Sequence, residues 1–326
     1  MKHIHYFCLK YRIMLRGAYS DITYFSKFVL LITLVLSFLL FSTLFGIVML
    51  VPFYGSGVLG LLSAGDFTDA SVIIAMKAMQ IINMAGGLLL PGIIYLWLCT
   101  PGSSKYTGFS RSYAPPALAL TVIMIIIAQP LIGWTSELNS YLTLPQGLAF
   151  IEDWMQHAER QGEQVTQAFL STTSIGGLLL NVFMIAILPP LAEELLFRGV
   201  LARLFKDWSR NVHFAVFLSA FIFAAFHMQF YTFLPRFLLG AALGYLFFWS
   251  GSLWLPIAAH FANNFLTLIV EFLYRKGIIT TNAENFGMDN AVWLIAFSIV
   301  GVTAVFYYIY HLSVGHKGEA GKNQLF

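Results

Sequence analysis

Three charged residues stand close together in Leu188–Gly199, a stretch that is otherwise apolar enough to cross a membrane. A charged side chain in a membrane span costs roughly 2.5–3.5 kcal/mol or more unless it is paired or hydrated, so we expect these charges to be functional. Glu194 and Arg198 are four positions apart, which places them on one helix face and predicts an ion pair. Glu193 points about 140° away from Arg198 on a helix and therefore needs another partner.

Two later apolar stretches contain polar side chains that could meet this acid. One ends in Phe223-Ala-Ala-Phe-His227, and the other holds His260-Phe-Ala-Asn-Asn264. The spacing of four places His260 and Asn264 one above the other on a single helix face. A lone histidine or asparagine in a membrane span is often only a hydrogen bond between helices, and that interpretation stays open for each residue taken alone.

The depth of these side chains in the membrane favours one shared site. At a rise of about 1.5 Å per residue, they lie roughly 12 to 22 Å from the inner ends of their spans, near the membrane middle. The residues that can share this layer are Glu193, His227, His260 and Asn264. A carboxylate can act as a general base on water, imidazoles can bind a metal or move protons, and an amide N–H can stabilise an oxyanion.

The composition indicates an all-α, polytopic membrane protein. The chain of 326 residues is 59% hydrophobic and only 10% charged, with a mean hydropathy of +0.77, whereas soluble proteins carry about 25% charged residues. Its long apolar runs do not alternate as the strands of a membrane β-barrel do. A net charge of +3, without a basic stripe, argues against a nucleic-acid partner.

Hydropathy and charge predict a bundle of about eight transmembrane spans. Lysine and arginine in the inner segments predict that both termini are cytoplasmic. We expect a multi-pass protein of the cell membrane, without a cleavable signal peptide, whose Cys8 and Cys99 stay reduced at the inner side. The predicted spans are approximately 28–51, 71–99, 116–134, 174–205, 212–230, 237–250, 253–272 and 291–310.

Features outside the motifs complete the predicted organisation. The acidic stretch 135–170 is predicted to lie outside and to contain an amphipathic helix at the membrane surface. Lys77 is predicted to snorkel from the outer end of its span, and Gly240-x-x-x-Gly244 to allow close helix packing. The predicted regions are an N-terminal part, a core with the three motifs and a C-terminal part: 1–173, 174–272 and 273–326.

The three motifs resemble those of the CPBP intramembrane metalloproteases. This family includes the type II CAAX prenyl endopeptidases and the bacteriocin-processing and self-immunity (Abi) proteins. The resemblance covers about residues 180–268, and it is specific because three weak motifs occur in the family's order and spacing. The motifs are Glu193-Glu194-x-x-x-Arg198, Phe223-x-x-x-His227 and His260-x-x-x-Asn264.

The resemblance implies an intramembrane endopeptidase that hydrolyses a peptide bond of a membrane-associated protein or peptide. It implies that Glu193 activates water and that His227 assists. It also implies that His260 and Asn264 bind the oxyanion or share in binding a metal. Nothing in the sequence identifies the substrate, a prenyl group on it, or the oligomeric state.

The resemblance gives Glu194 and Arg198 the role of holding Glu193 in place, and it leaves the role of a metal open. Two histidines, His227 and His260, with a carboxylate could form a catalytic zinc site that keeps an open position for water. If Glu193 were a zinc ligand, however, another base would be needed. A divalent metal such as zinc and a metal-free glutamate mechanism therefore both remain consistent with these residues.

Two functions of other classes are also compatible with such a chain. One is a non-catalytic membrane regulator or bacteriocin-immunity protein that uses the same fold. The other is a transporter with a proton-relay acid. Transporter folds commonly contain internal repeats, whereas here no span pattern repeats and the polar residues cluster on three late spans.

Overall fold

The computed structural model describes residues 16–57, 60, 69–100, 106, 108–110, 113–282 and 292–316. These residues form nine long helices and no strand, so the fold is all-α as the sequence predicts. In chain order the helices are α1 Tyr24–Tyr54, α2 Ala70–Cys99, α3 Pro115–Ser140, α4 Ala149–Leu170, α5 Ile175–Ser209, α6 Val212–Phe226, α7 Phe233–Ser250, α8 Trp254–Arg275 and α9 Val292–His316.

Seven of these helices are long and apolar enough to cross a membrane, namely all except α4 and α6. The protein is therefore a multi-pass integral membrane protein. The span predicted at 212–230 differs, because α6 ends at Phe226 and has only 15 residues. Fifteen residues rise about 22 Å, which is less than the hydrocarbon thickness of about 30 Å. The fifth of the eight predicted spans is thus a shorter apolar helix.

Helix α5 lies at the centre of the bundle and is buried from Ala192 to Ala202. Its apolar side chains pack in one core cluster with residues of α2, α6, α7 and α8, including Leu88, Phe223, Phe247 and Ile257. The chain around the Glu-Glu motif is therefore shielded from lipid on all sides. In a dry interior, the charges of the motif must find their partners within the protein.

Pro189 and Pro190 lie within α5, where a pair of prolines is expected to interrupt or bend the helix. The helix continues through both prolines, and two π-helical segments, Val182–Ile187 and Glu194–Ala202, flank them. A proline lacks the N–H that would bond to the preceding turn, and π-helical turns within α-helices often occur at functional sites. The prolines thus change the hydrogen bonding of α5 without ending it.

The small residues of α7 pack closely against α6, as their spacing predicts. A Cβ atom added to Gly240 would lie 3.2 Å from Ala220 Cβ, and one added to Gly244 would lie 3.0 Å from Val216 Cγ1. Both distances are too short for a larger side chain without displacement of α6. This close approach brings the carbonyl of Gly240 within reach of α5.

Helix α4 fits the amphipathic helix predicted in 135–170. It begins at Ala149 and ends at Leu170, and its last three residues are buried against the bundle. Glu159 is only 6% exposed, so this acid faces protein and not solvent. The helix therefore contacts the bundle through a polar group that its apolar pattern does not predict.

The expectation that Lys77 snorkels to the membrane surface is wrong. Its side chain is 7% exposed, and Nζ donates a hydrogen bond of 2.9 Å to Asn181 Oδ1 on α5. The ammonium also lies 5.9 Å from the centre of the Phe169 ring on α4. A polar partner 104 positions away in the sequence thus holds the lysine inside the bundle.

Candidate active site

Glu194 and Arg198 form the predicted ion pair on α5. Arg198 Nη1 donates to Glu194 Oε1 at 2.9 Å, and the two side chains are 1% and 0% exposed. Arg198 Nη2 donates to the carbonyl of Gly240 at 3.1 Å, and the guanidinium lies 4.5 Å from the centre of the Phe223 ring. Hydrogen bonds and a cation–π contact therefore compensate the burial of this arginine.

The same glutamate oxygen contacts His260 on α8. His260 Nδ1 lies 2.8 Å from Glu194 Oε1, and because an ionised carboxylate only accepts hydrogen bonds, we assign the proton to Nδ1. A carboxylate on one imidazole nitrogen fixes the ring and leaves the other nitrogen for chemistry. The direct partner of Glu194 on the neighbouring helix is thus His260, whereas the family resemblance implies support of Glu193.

Glu193 faces the free nitrogen of His260. Its Oε2 lies 3.8 Å from His260 Nε2, which is longer than a hydrogen bond but close enough for electrostatic interaction. This buried oxygen has no hydrogen-bond partner within the described part of the chain, and the residue is 6% exposed. An unsatisfied buried acceptor costs about 1–3 kcal/mol or more. Such an oxygen is suited to bind a water molecule or a substrate group.

Asn264 lies one turn from His260 on α8 and contacts α5. Its Nδ2 donates a 3.0 Å hydrogen bond to the carbonyl of Ile185. That carbonyl would normally accept from position 189 in an α-helix or from position 190 in a π-helix. Both positions are prolines without an N–H, so the Pro-Pro pair frees the carbonyl that Asn264 binds. One of the two amide N–H groups of Asn264 remains for another acceptor.

His227 is the first residue after α6, and not well inside a span as the sequence predicts. Its Nδ1 lies 2.8 Å from the carbonyl of Phe223, which only accepts, so Nδ1 is the donor and Nε2 is the free nitrogen. Within the described residues, no hydrogen bond joins His227 directly to Glu193 or His260. The structure therefore brings Glu193 and Glu194 into contact with His260. His227 lies next to this group, separated from His260 by the ring of Phe223.

Phe223 links His227 to the other site residues. Its ring centre lies 4.8 Å from that of His227 and 5.9 Å from that of His260, in edge-to-face geometry in both cases. The ring is 2% exposed and also lies beneath the guanidinium of Arg198. Sequence reasoning gave this phenylalanine no role, although its spacing of four from His227 was a signal that both lie on one face.

Arg236 on α7 is a second residue that sequence reasoning missed. Its charge interacts electrostatically with Glu193, and its guanidinium donates to Gln229 Oε1 and Thr232 Oγ1 in the preceding turn. The sequence placed Arg236 in an outer turn, because no apolar pattern includes it. In the structure, α7 begins at Phe233 and carries this arginine in its first turn.

A three-ligand metal site does not fit the side chains as they are placed. No group of three or more His, Cys, Asp or Glu side chains in the described ranges is arranged to hold one ion. His227 and His260 each use Nδ1 in a protein hydrogen bond, which leaves Nε2 as their possible ligand atom. The zinc site thus stays a prediction, and the chemistry proposed below contains no metal step.

Comparison with known proteins finds a family similarity in the segment that contains these residues. Residues 175–266 match the model of the type II CAAX prenyl endopeptidase Rce1-like family. A protein of Bacillus subtilis (strain 168), described as the uncharacterized protein YpbD, is 32% identical over 85 residues. That alignment covers 25% of this chain and 40% of the relative, so the chain matches less than half of that protein. No solved structure shows significant similarity to the chain. The segment that holds all six predicted site residues is thus similar to the type II CAAX prenyl endopeptidase Rce1-like family.

Proposed function

We propose that this protein is an intramembrane endopeptidase in which Glu193 activates water for attack on a peptide bond. The observation that carries the proposal is the unpartnered Oε2 of Glu193, buried 3.8 Å from His260 Nε2. A buried carboxylate beside an oriented imidazole provides a base and a proton carrier at one place. The family match of residues 175–266 supports proteolysis as the class of reaction.

In the proposed reaction, Glu193 takes a proton from water while the water oxygen bonds to the carbonyl carbon of the substrate. The tetrahedral intermediate then loses the amine when the C–N bond breaks and a proton passes to the leaving nitrogen. The products are a carboxylate and an amine. The Oε2 atom of Glu193, which has no hydrogen-bond partner among the described residues, supports this role.

His260 is proposed to stabilise the negative charge on the oxygen of the tetrahedral intermediate. Glu194 fixes its ring through Nδ1, so Nε2 is directed to the side of Glu193. In the imidazolium form, which keeps the proton on Nδ1 and carries a second one on Nε2, the Nε2–H is placed to donate to the oxyanion. Donors fixed in advance are the main source of such stabilisation. Glu194 and Arg198 are then positioning residues for His260.

His227 and Asn264 supply the remaining donors in the proposal. His227 has its Nε2 free and can assist water activation or deliver a proton to the leaving amine. Asn264 has one N–H bonded to Ile185 and a second with which it can donate to the oxyanion.

The proposed substrate is a protein or peptide anchored in the bilayer, since the catalytic groups lie among membrane-spanning helices. An apolar groove of about 180 Å³ runs between α1, α5 and α6 and includes Phe197 and Phe226, the neighbours of Arg198 and His227. An anchored segment could follow this groove to the site. We also propose the cell membrane, with both termini cytoplasmic, as the setting.

The experiment is cleavage of membrane-anchored peptides by the purified protein in liposomes, read by mass spectrometry. We expect Glu193→Gln and His260→Ala each to lower cleavage by about 100-fold or more. Asp153→Asn, an exposed change on α4, is the control and should cleave normally. Undiminished cleavage by Glu193→Gln would contradict the proposed function.

The runner-up function, a non-catalytic membrane regulator, makes the opposite prediction in cells. It requires that Glu193→Gln retains the full biological effect of the protein, because only the fold is needed. We favour the protease because a regulator has no need for a buried acid without a protein partner. Comparison of the membrane proteomes of cells with the native protein and with Glu193→Gln separates the two functions.

A further inference from the structure

The turn between α6 and α7, residues 227–232, determines where His227 lies. His227 has left the helix, so α6 alone does not fix its side chain. The next residue, Met228, has a φ of 54°, a left-handed conformation that residues other than glycine adopt rarely. Such a conformation persists when the surroundings hold it. Contacts from α3, α4 and α7 hold this turn.

Helix α3 contributes the first contact through Asn139. Its Nδ2 donates to the carbonyl of Phe230 at 3.0 Å, and its Oδ1 accepts from the N–H of Leu234 at 2.6 Å. Leu234 is in the first turn of α7, where backbone N–H groups lack a partner within the helix. One buried amide, 5% exposed, thus satisfies an acceptor within the turn and a donor just after it.

Helix α4 contributes the second contact through Glu159. Its Oε2 accepts a 3.2 Å hydrogen bond from the N–H of Tyr231. On the same helix, the ring of Trp154 packs on that of Phe230 with centres 5.2 Å apart. Gly162 provides room for Gln229, whose Nε2 would lie 3.1 Å from a Cβ at that position. Helix α4 therefore contacts the 227–232 turn along about two helical turns of its own length.

We infer that Asn139 and Glu159 are positioning residues for His227, and that α3 and α4 act through them as a clamp on the 227–232 turn. The inference rests on the proposed role of His227 in hydrolysis. It gives a function to the acidic stretch 135–170, which carries no motif. Arg236 of α7 contacts the same turn through Gln229 and Thr232, and its charge interacts with that of Glu159.

The clamp predicts different results from similar substitutions at Glu159. Glu159→Ala removes the acceptor of the Tyr231 N–H, whereas Glu159→Gln keeps an amide oxygen that can accept the same bond. Since a misplacement of about 1 Å can reduce rates by about 100-fold, we expect Glu159→Ala to lower kcat by at least about tenfold with little change in KM. Glu159→Gln should restore most of kcat, and Asp153→Ala on the exposed side of α4 should change neither.

Asn139→Asp provides an independent variant of nearly the same volume. The carboxylate still accepts from Leu234 N–H, but it no longer donates to the carbonyl of Phe230 and places charge against it. We expect a loss of kcat similar to that in Glu159→Ala, about tenfold. Two substitutions from two helices that produce the same kinetic defect would locate that defect in the turn that both contact.

Hydrogen exchange of the full-length protein in lipid nanodiscs tests the clamp without reference to activity. We expect Glu159→Ala and Asn139→Asp to raise the exchange rate in the peptide that covers 229–234, and to leave α5 and α8 as protected as in the native protein. Unchanged exchange at 229–234, or an equal increase throughout the bundle, would overturn the inference. If the native protein cleaves no peptide, the proposed function fails, but exchange still decides whether the clamp exists.

Discussion

His260 Nδ1 and Arg198 Nη1 both contact one atom, Glu194 Oε1, at 2.8 and 2.9 Å. A single carboxylate oxygen thus joins α5 to the imidazole of α8, deep in the bundle. The two adjacent glutamates have separate tasks as a result. Glu194 binds Arg198 and His260 through Oε1, whereas Glu193 faces His260 Nε2 only at 3.8 Å. The Oε2 atoms of both glutamates have no hydrogen-bond partner among the described residues.

The first prediction concerns the buried pair of Glu194 and Arg198. Arg198→Met leaves the Glu194 carboxylate buried beside one imidazole, so we expect the free energy of unfolding to fall by about 3–5 kcal/mol. The double variant Glu194→Gln/Arg198→Met removes both charges and should lose less. Denaturant unfolding of the purified proteins in detergent measures the difference. Equal stability of the single and double variants would show that the pair does not compensate charge.

Phe223 is the subject of the second prediction. Phe223→Leu keeps an apolar side chain but removes the ring that lies 4.5 Å from the Arg198 guanidinium. We expect a loss of about 2 kcal/mol from the cation–π contact, together with a reduced kcat because His227 and His260 both lose their neighbour. Phe214→Leu, an exposed change on the same helix, is the control. Equal stability and kinetics of the two variants would contradict the role assigned to Phe223.

Local spacing was sufficient to predict the contacts within one helix. The interval of four between Glu194 and Arg198 gave the ion pair, and the interval of four between Gly240 and Gly244 gave the close packing of α7. Periodicity also gave the amphipathic α4. These features depend on the 3.6-residue repeat alone, which is visible in the sequence.

Contacts between distant helices could not be predicted in the same way. No glycine or proline marks the end of α6 at Phe226 in the sequence. The turn that follows is held by Asn139 and Glu159, which lie on other helices. Lys77 resembled a snorkelling residue because its partner, Asn181, lies on another helix. Likewise, Pro189-Pro190 suggested that the helix is interrupted or bent. In the structure the helix continues, and the missing N–H groups of the prolines leave the Ile185 carbonyl free to accept from Asn264. The three-region division and the orientation in the membrane stay predictions.

Lys77 and Asn181 give a third prediction, in which two substitutions have opposite signs. Lys77→Met keeps a side chain of similar shape and removes the desolvation cost of its buried charge. This gain offsets the loss of the donor to Asn181 Oδ1, so we expect stability to be unchanged or higher. Asn181→Leu leaves both the Lys77 ammonium and the Phe169 carbonyl without their hydrogen bonds to Asn181 and should cost about 1–3 kcal/mol. Thermal unfolding in detergent measures both. A marked loss of stability in Lys77→Met would indicate a role for its charge that the present contacts do not explain.

Metal removal is the fourth test. Because no three suitable side chains in the described part of the chain are arranged around one ion, we expect cleavage to continue after prolonged treatment with a chelator. Elemental analysis of the purified protein is the accompanying measurement. Loss of cleavage that one equivalent of zinc restores would instead support a metal site that includes His227 and His260.

The central claim is that Glu193 is the base and that its side chain is not needed for folding. Glu193→Gln preserves the shape of the side chain and removes its buried charge. Because Glu193 Oε2 has no hydrogen-bond partner among the described residues, the free energy of unfolding should be equal or higher. Cleavage of a membrane-anchored peptide by the same preparation should fall by about 100-fold or more. The account predicts this separation of stability from activity in one variant. Cleavage at the native rate by a stably folded Glu193→Gln would contradict it.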